Sequence, residues 1–233
     1  TVVARAKRSD IISEDKIKDK DVIVGLASFG QATYENEYNG GMGSNGLTSA
    51  RHDVFNKTLK DKFPESYDNN LDDDVVYCGS KNLLDKITIN EKGEQMTAGK
   101  LVLSPTRTYA PIINAIIKEH KGDIDGLIHC TGGAMTKVLN FVEGKHIIKD
   151  NLFAFPPLFK MIEEESHTPR EEMYQVFNCG QRMEVYCKEN VAQDIINISK
   201  SFNVEAQIIG RVENSQKTFL TIKDEKGQYE YQK

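Results

Sequence analysis

The segment HCTGGAMTKVL, residues 129–139, sets Thr-Gly-Gly between the apolar run Gly126-Leu127-Ile128 and a stretch with helical spacing. Glycine costs helix propensity, so a pair of them at that handover marks a place where the backbone needs positive φ or the close approach of another group. Two readings stand side by side. One is a tight turn. The other is a turn whose exposed N–H groups, at a helix N-terminus, bind an anion, commonly a phosphate. On either reading the segment is a βαβ-like step, with IDGLIHC (124–130) as strand, Thr131 to Gly133 as turn and AMTKVLNFV (134–142) as helix.

Outward from that step, strands and helices interleave. VIVGLASFG (22–30) reads as a buried strand running into glycine, and SNGLTSARHDVFNKTL (44–59) as a helix capped by Ser44 or Asn45, with Leu47, Ala50, Val54, Phe55 and Leu59 on one face. Between them, QATYENEYNGGMG (31–43) is a long polar loop whose Gly40-Gly41 pair suits a hinged lid. Residues 61–100 form a variable excursion, a helix covers Tyr109 to Ile117, and FNCGQRMEVYC (177–187) alternates as a strand toward its end. ENVAQDIINISKSF (189–202) is an amphipathic helix, followed by EAQIIGRVE and KTFLTIKD as closing strands, while residues 1–8 alternate loosely as a strand. With no internal repeat, the pattern is an α+β class: a three-layer α/β/α arrangement with a mixed sheet flanked by helices.

Composition narrows the function classes. The chain has 233 residues, 39% hydrophobic and 28% charged, with a formal net charge of −5. Such a balance gives no global attraction to nucleic acid or anionic lipid. No apolar run approaches the ~20 residues that cross a bilayer, and TVVARAKRSDII (1–12) lacks the features of a secretory signal, so neither nucleic acid nor membrane is an expected partner. Cys78, Cys130, Cys179 and Cys187 show neither C-x-x-C nor Cys/His metal spacing, and read as reduced thiols of a cytoplasmic protein. The acidic run Asp72 to Asp74 reads as a solvated turn and no metal site is expected in this chain. Thr1 at the start, in place of Met, reads as a chain cut from something longer.

Three glycine-bearing junctions are candidate sites: Gly30 to Gly46, Thr131 to Gly133, and Asn178 to Gly180. Gly41-Met42-Gly43-Ser44-Asn45-Gly46 has the bare G-x-G-x-x-G spacing but follows a long polar loop and not a strand, none matches G-x-x-x-x-G-K-[ST], and each junction alone reads as a turn before a ligand site. A sheet ending them on one edge gathers their N–H groups into one crevice. The expected substrate- and phosphate-binding residues are Ser44, Asn45, Gly46, Arg107, Thr131, Gly132, Gly133, Asn178 and Gly180. Arg107, in LSPTRTY, pairs with a carboxylate or clamps a phosphate. His129, at the C-terminal end of a strand, is the candidate catalytic residue, its alternative being a structural histidine.

In order, DVIVGLASFG, SNGLTSAR, LVLSPTRTYAPII, GLIHCTGGAMTKVL and EEMYQVFNCGQRMEV resemble the C-terminal domain of aminoimidazole ribonucleotide synthetase, or phosphoribosylformylglycinamidine cyclo-ligase. The Pro-Thr-Arg and Met-Tyr-x-x-Phe-Asn-x-Gly signatures carry the likeness, which runs from about Ile11 to Val212. The resemblance implies an ATP-dependent ring closure in purine biosynthesis, acting on formylglycinamidine ribonucleotide. It also implies a preceding domain, absent here, that supplies most ATP and Mg²⁺ contacts and the dimerising sheet. On that reading residues 1–20 are its last strand and linker, 21–233 are the cyclo-ligase-like domain, the full-length enzyme is a homodimer, and this chain alone is inactive. Three departures stand out: Gly43 where the family often has histidine, Ala134 where a third glycine is common, and Gln181-Arg182 in place of a smaller pair. The alternatives are a stand-alone phosphate- or nucleotide-binding module without catalysis, and another ligase or kinase of the same superfamily.

Overall fold

The computed structural model describes residues 3–233. Its frame is a seven-stranded sheet in the order β4-β6-β1-β7-β5-β8-β9, built from β1 (Val22–Ala27), β4 (Ile124–His129), β5 (Lys145–Lys149), β6 (Gln181–Cys187), β7 (Ala206–Asn214), β8 (Phe219–Lys223) and β9 (Gln228–Gln232). All neighbours pair antiparallel except β5 and β8, which are parallel. A small hairpin of β2 (Lys86–Thr88) and β3 (Gln95–Thr97) stands apart from it.

Two apolar layers sandwich the sheet. On one face α4 (Ala110–His120) and α7 (Glu189–Ser201) cover Val24, Leu26, Val185 and Cys187. The α7 residues Val191, Ala192, Ile195, Ile196 and Ser199 recur at helical spacing and are all buried, which is why that stretch folds as a helix against strands. On the other face lie α1 (Leu47–Val54), α3 (Ala98–Val102), α5 (Pro157–Ser166), α6 (Arg170–Val176) and a 3₁₀ helix over Ala134–Asn140, packed on Ile23, Ile147, Tyr186 and Ile209. A short α2 (Thr58–Lys62) precedes the excursion. The three-layer mixed-sheet arrangement expected from the alternation is therefore present.

Several local expectations need correction. The segment after Gly133 is a 3₁₀ helix, not an α-helix, because Gly133 and Ala134 both sit at positive φ (80° and 44°) and tighten the entry. Helix α1 ends at Val54, not near Leu59; Phe55 leaves the helix at φ −93°, ψ 151° and its carbonyl accepts from Gly79 N–H. Neither Ser44 nor Asn45 caps it; Gly46, at φ 75°, takes the cap position and no side chain closes it. Residues 3–7 form no strand, and residues 1 and 2 of that expected strand lie outside the described residues.

At the edge where β1 and β4 begin, Asp21 and Asp125 are both buried. Asp21 accepts from the Lys18 N–H at 2.9 Å, while Lys18 Nζ lies 2.5 Å from Asp125 Oδ2. Burial, with the neighbouring Asp125 charge adding to it, pushes the Asp21 carboxyl up to about 6. The folded state thus holds this proton more tightly than the unfolded chain. Its contribution to stability is full below the ordinary value of 3.8 and is lost as pH rises through about 6. Asp21→Asn, which cannot ionise, is expected to melt above the parent at pH ~7.5, with the gap closing by pH ~4 in a calorimetric series.

Candidate functional site

Strand directions decide what meets what. Since β6 runs antiparallel to both β1 and β4, the C-terminal ends of β1 and β4 and the N-terminal end of β6 share one sheet edge. All three glycine-bearing junctions leave from that edge. Ser28 N–H donates to Gly180 O at 3.0 Å and Cys130 N–H to Arg182 O at 2.6 Å, stitching them together. The first two junctions also touch: a Cβ built on Gly132 would stand 3.6 Å from Asn45 Nδ2.

Backbone donors are left free where these two junctions meet. The N–H groups of Gly132, Gly133, Asn45 and Gly46 donate to no acceptor among the described residues. Gly132, Gly133, Ser44 and Asn45 are exposed. Gly133, at φ 80°, holds the turn in the left-handed region that other residues adopt only with strain. Lys137 Nζ reaches back one turn to Thr131 Oγ1 at 2.6 Å, adding a full positive charge beside the free N–H groups. Lys137 was missed from sequence, although a basic residue four positions after Gly133 is the one whose side chain leans back toward the helix start.

His129 stands at the end of β4, edge-on to Tyr109 at 6.1 Å between ring centres. Burial, with Arg182 and Lys137 nearby, lowers its pKa, so the imidazole is neutral at pH ~7. Its Nε2 is buried and has no partner among the described residues. It borders an open cavity together with Arg107, Tyr109 and Met183.

Three expected ligand contacts are instead structural. Arg107, fully buried along its side chain, donates from Nε and Nη2 to the Glu35 carboxylate at 2.9 and 2.7 Å, and from its Nη atoms to the carbonyls of Ala27, Phe29 and Gly30. That accounts for all five guanidinium donors, so it takes the carboxylate option and has none left for a phosphate. Asn178 is spent likewise: Oδ1 accepts from Ser28 Oγ and Gly180 N–H, and Nδ2 donates to Gly41 O. Gly180 is walled in, with Pro156 Cγ 2.8 Å from where a Cβ would stand.

The same bonds correct the lid. Asn39 pairs with Gly30 through both backbone groups, Ser104 Oγ accepts from Gly40 N–H, and Tyr34 donates to Thr108 O. Arg182, buried to 2% exposure, donates to Gly41 O at 2.9 Å and Met42 O at 2.5 Å. Its guanidinium fills the space where a Cβ on Gly43 would lie, 2.1 Å from Nη1. The loop is a pinned wall of the crevice. Among the described residues no group of three or more His, Cys, Asp or Glu side chains converges as a metal site. All four cysteines are free, and burial pushes the Cys130 and Cys179 thiols far up, which suits packing.

The model of the family described as AIR synthase related protein, C-terminal domain, matches residues 18–223, and the chain belongs to that family. The chain is 32% identical over 216 residues to the phosphoribosylformylglycinamidine cyclo-ligase of Methanocaldococcus jannaschii, covering 92% of this chain and 51% of that protein. It is 30% identical over 217 residues to the enzyme of the same name from Methanobrevibacter smithii, covering 93% and 52%. The chain thus spans about half the length of the curated relatives it matches. Among solved structures, T. maritima PurL complexed with FGAR aligns over 95% of this chain and 28% of its own, with 12% identity and a TM-score of 0.46.

Arg107→Met leaves Glu35 facing three carbonyls without its cation. It is expected to cost on the order of 3 kcal/mol in urea unfolding, as for a broken buried pair, and to expose residues 30–41 to hydrogen exchange. Unchanged exchange in that loop would show that other bonds hold it.

Proposed function

We propose that this chain is the substrate-binding C-terminal part of an ATP-dependent cyclo-ligase that converts formylglycinamidine ribonucleotide to aminoimidazole ribonucleotide in purine biosynthesis. The observation that carries the reading is the 32% identity sustained over 92% of the chain with a relative of that name. The full-length protein is then a cytoplasmic homodimer whose other half supplies most ATP and Mg²⁺ contacts. Among the described residues no group of three or more His, Cys, Asp or Glu side chains gathers as a donor set for Mg²⁺.

The crevice residues fit the phosphate-bearing part of such ligands. Free N–H groups of Gly132, Gly133, Asn45 and Gly46 accept an anion, and Lys137 neutralises it. The dipole of one short helix is worth only ~0.3–1 kcal/mol, so the two junctions act together. ATP, when bound, supplies the phosphoryl group that makes the formyl oxygen a leaving group for attack by the amidine nitrogen. His129, held neutral and bordering the open cavity with Arg107, Tyr109 and Met183, is the acceptor for the proton that this nitrogen sheds. The Tyr109 ring, edge-on to the imidazole, limits water there.

Two measurements test the reading. The full-length protein should close the ring of formylglycinamidine ribonucleotide with ATP, and His129→Ala should lower kcat by about 10²-fold or more. Absence of ring closure in the folded full-length protein would favour a phosphate-binding module instead. The chain alone should bind inorganic phosphate weakly in calorimetry and hydrolyse no ATP. Gly132→Val should remove that binding and leave the fold intact, since a Cβ there meets nothing closer than 3.6 Å while a branched side chain blocks the ligand's approach. The positive φ belongs to Gly133 and not to Gly132, so backbone strain plays no part in this variant. Equal phosphate affinity in folded Gly132→Val would reduce the glycines to a turn.

A further inference from the structure

Away from the crevice, α1 turns a second face toward an open cavity of about 500 Å³, bounded by the excursion between α1 and α3. Its walls include Leu47, Phe55, Leu59, Phe63, Leu83 and Leu103. Three of these are exposed large apolar side chains, Phe63 at 44%, Leu83 at 37% and Leu103 at 74%. Apolar surface gathered around one concavity is unusual for a water-facing site and marks a place for an apolar ligand.

The chemistry at the cavity's polar end narrows the ligand. Arg51, half-buried on α1, donates through Nη2 to Ser66 O and, at 2.9 Å, to the Tyr77 hydroxyl, which in turn lies 2.7 Å from Ser66 Oγ. Its Nε and Nη1 donors have no partner among the described residues, and Arg51 forms no ion pair there. An arginine set into an apolar wall without a carboxylate is a charge awaiting its counter-ion. Tyr77 is fixed against it at φ 50°, a conformation that packing must enforce for a bulky residue. Exposed Glu65 also lines the cavity and makes no ion pair with Arg51.

We propose that this cavity binds an apolar monocarboxylate, the acid group on Arg51 and the hydrocarbon along Leu47, Phe63 and Leu103. Charge complementarity with Arg51 selects the anion, and the apolar walls select the hydrocarbon tail and reject a second charged end. The proposal stands independently of the ring-closure reading.

The test uses decanoate, decanol and the dicarboxylate sebacate as probes in calorimetry with the whole chain. Decanoate should bind with a stoichiometry near one, at least about tenfold more tightly than the alcohol or the diacid, the preference expected for hydrogen bonds to a charged group. Arg51→Gln should remove that preference. Leu103→Ser, at a site too exposed to disturb folding, should weaken decanoate and decanol alike. Failure of decanoate to bind would overturn the proposal, as would equal affinities unaffected by Arg51→Gln, or decanoate affinity indifferent to Leu103→Ser. Loss of decanoate binding in the full-length protein would identify the cavity as a contact between domains and would overturn it equally.

Discussion

The ion pair between Lys149 and Glu184 holds the molecule's working edge in place. Both side chains are fully buried, 2.5 Å apart, and belong to β5 and β6, which are separated in the sheet by β1 and β7. A pair in such surroundings repays its desolvation only if its remaining polar atoms are satisfied. They are: Lys149 also donates to Met135 O at 2.7 Å, and Glu184 Oε2 accepts from the Tyr186 hydroxyl at 2.8 Å. Met135 lies in the 3₁₀ helix after the glycine turn, so the pair ties that turn to the middle of the sheet. The exposed donors of Gly132 and Gly133 are positioned by a charge network several residues beneath them.

Stiffness rises from the sheet into the loops by the same means. Along residues 27–42, Arg107 grips three carbonyls and a carboxylate, Asn178 the Ser28 hydroxyl and the Gly41 carbonyl, and Arg182 the carbonyls of Gly41 and Met42. A loop with that many buried bonds gives up mobility for a fixed wall, which suits a site that orients a ligand and keeps water from it.

Much of this was legible in the residues, and the failures have physical causes. Periodicity found β1, β4, α4, α7 and the closing β7 and β8, because each carries its burial pattern within itself. It missed β5, five residues with lysine at both ends, since burial of Lys149 depends on a partner far away in sequence. The same limit applied to the site. Glycine at a strand end located the Thr131–Gly133 turn and its junction with Ser44–Gly46, for backbone permissiveness is a local property. Whether Arg107 and Asn178 face a ligand or the protein's own carbonyls depends on which groups the fold brings within 3 Å, and no spacing records that.

The contact between Gly43 and Arg182 also ties together two of the departures from the family pattern. An L-residue at position 43 would place its Cβ 2.1 Å from Arg182 Nη1, so the guanidinium would have to leave its present position to admit it. The glycine in one loop leaves the room that the large side chain at the head of β6 fills. The two positions are therefore coupled: a Cβ added at 43 would displace the Arg182 guanidinium and with it the bonds that hold the Gly41 and Met42 carbonyls.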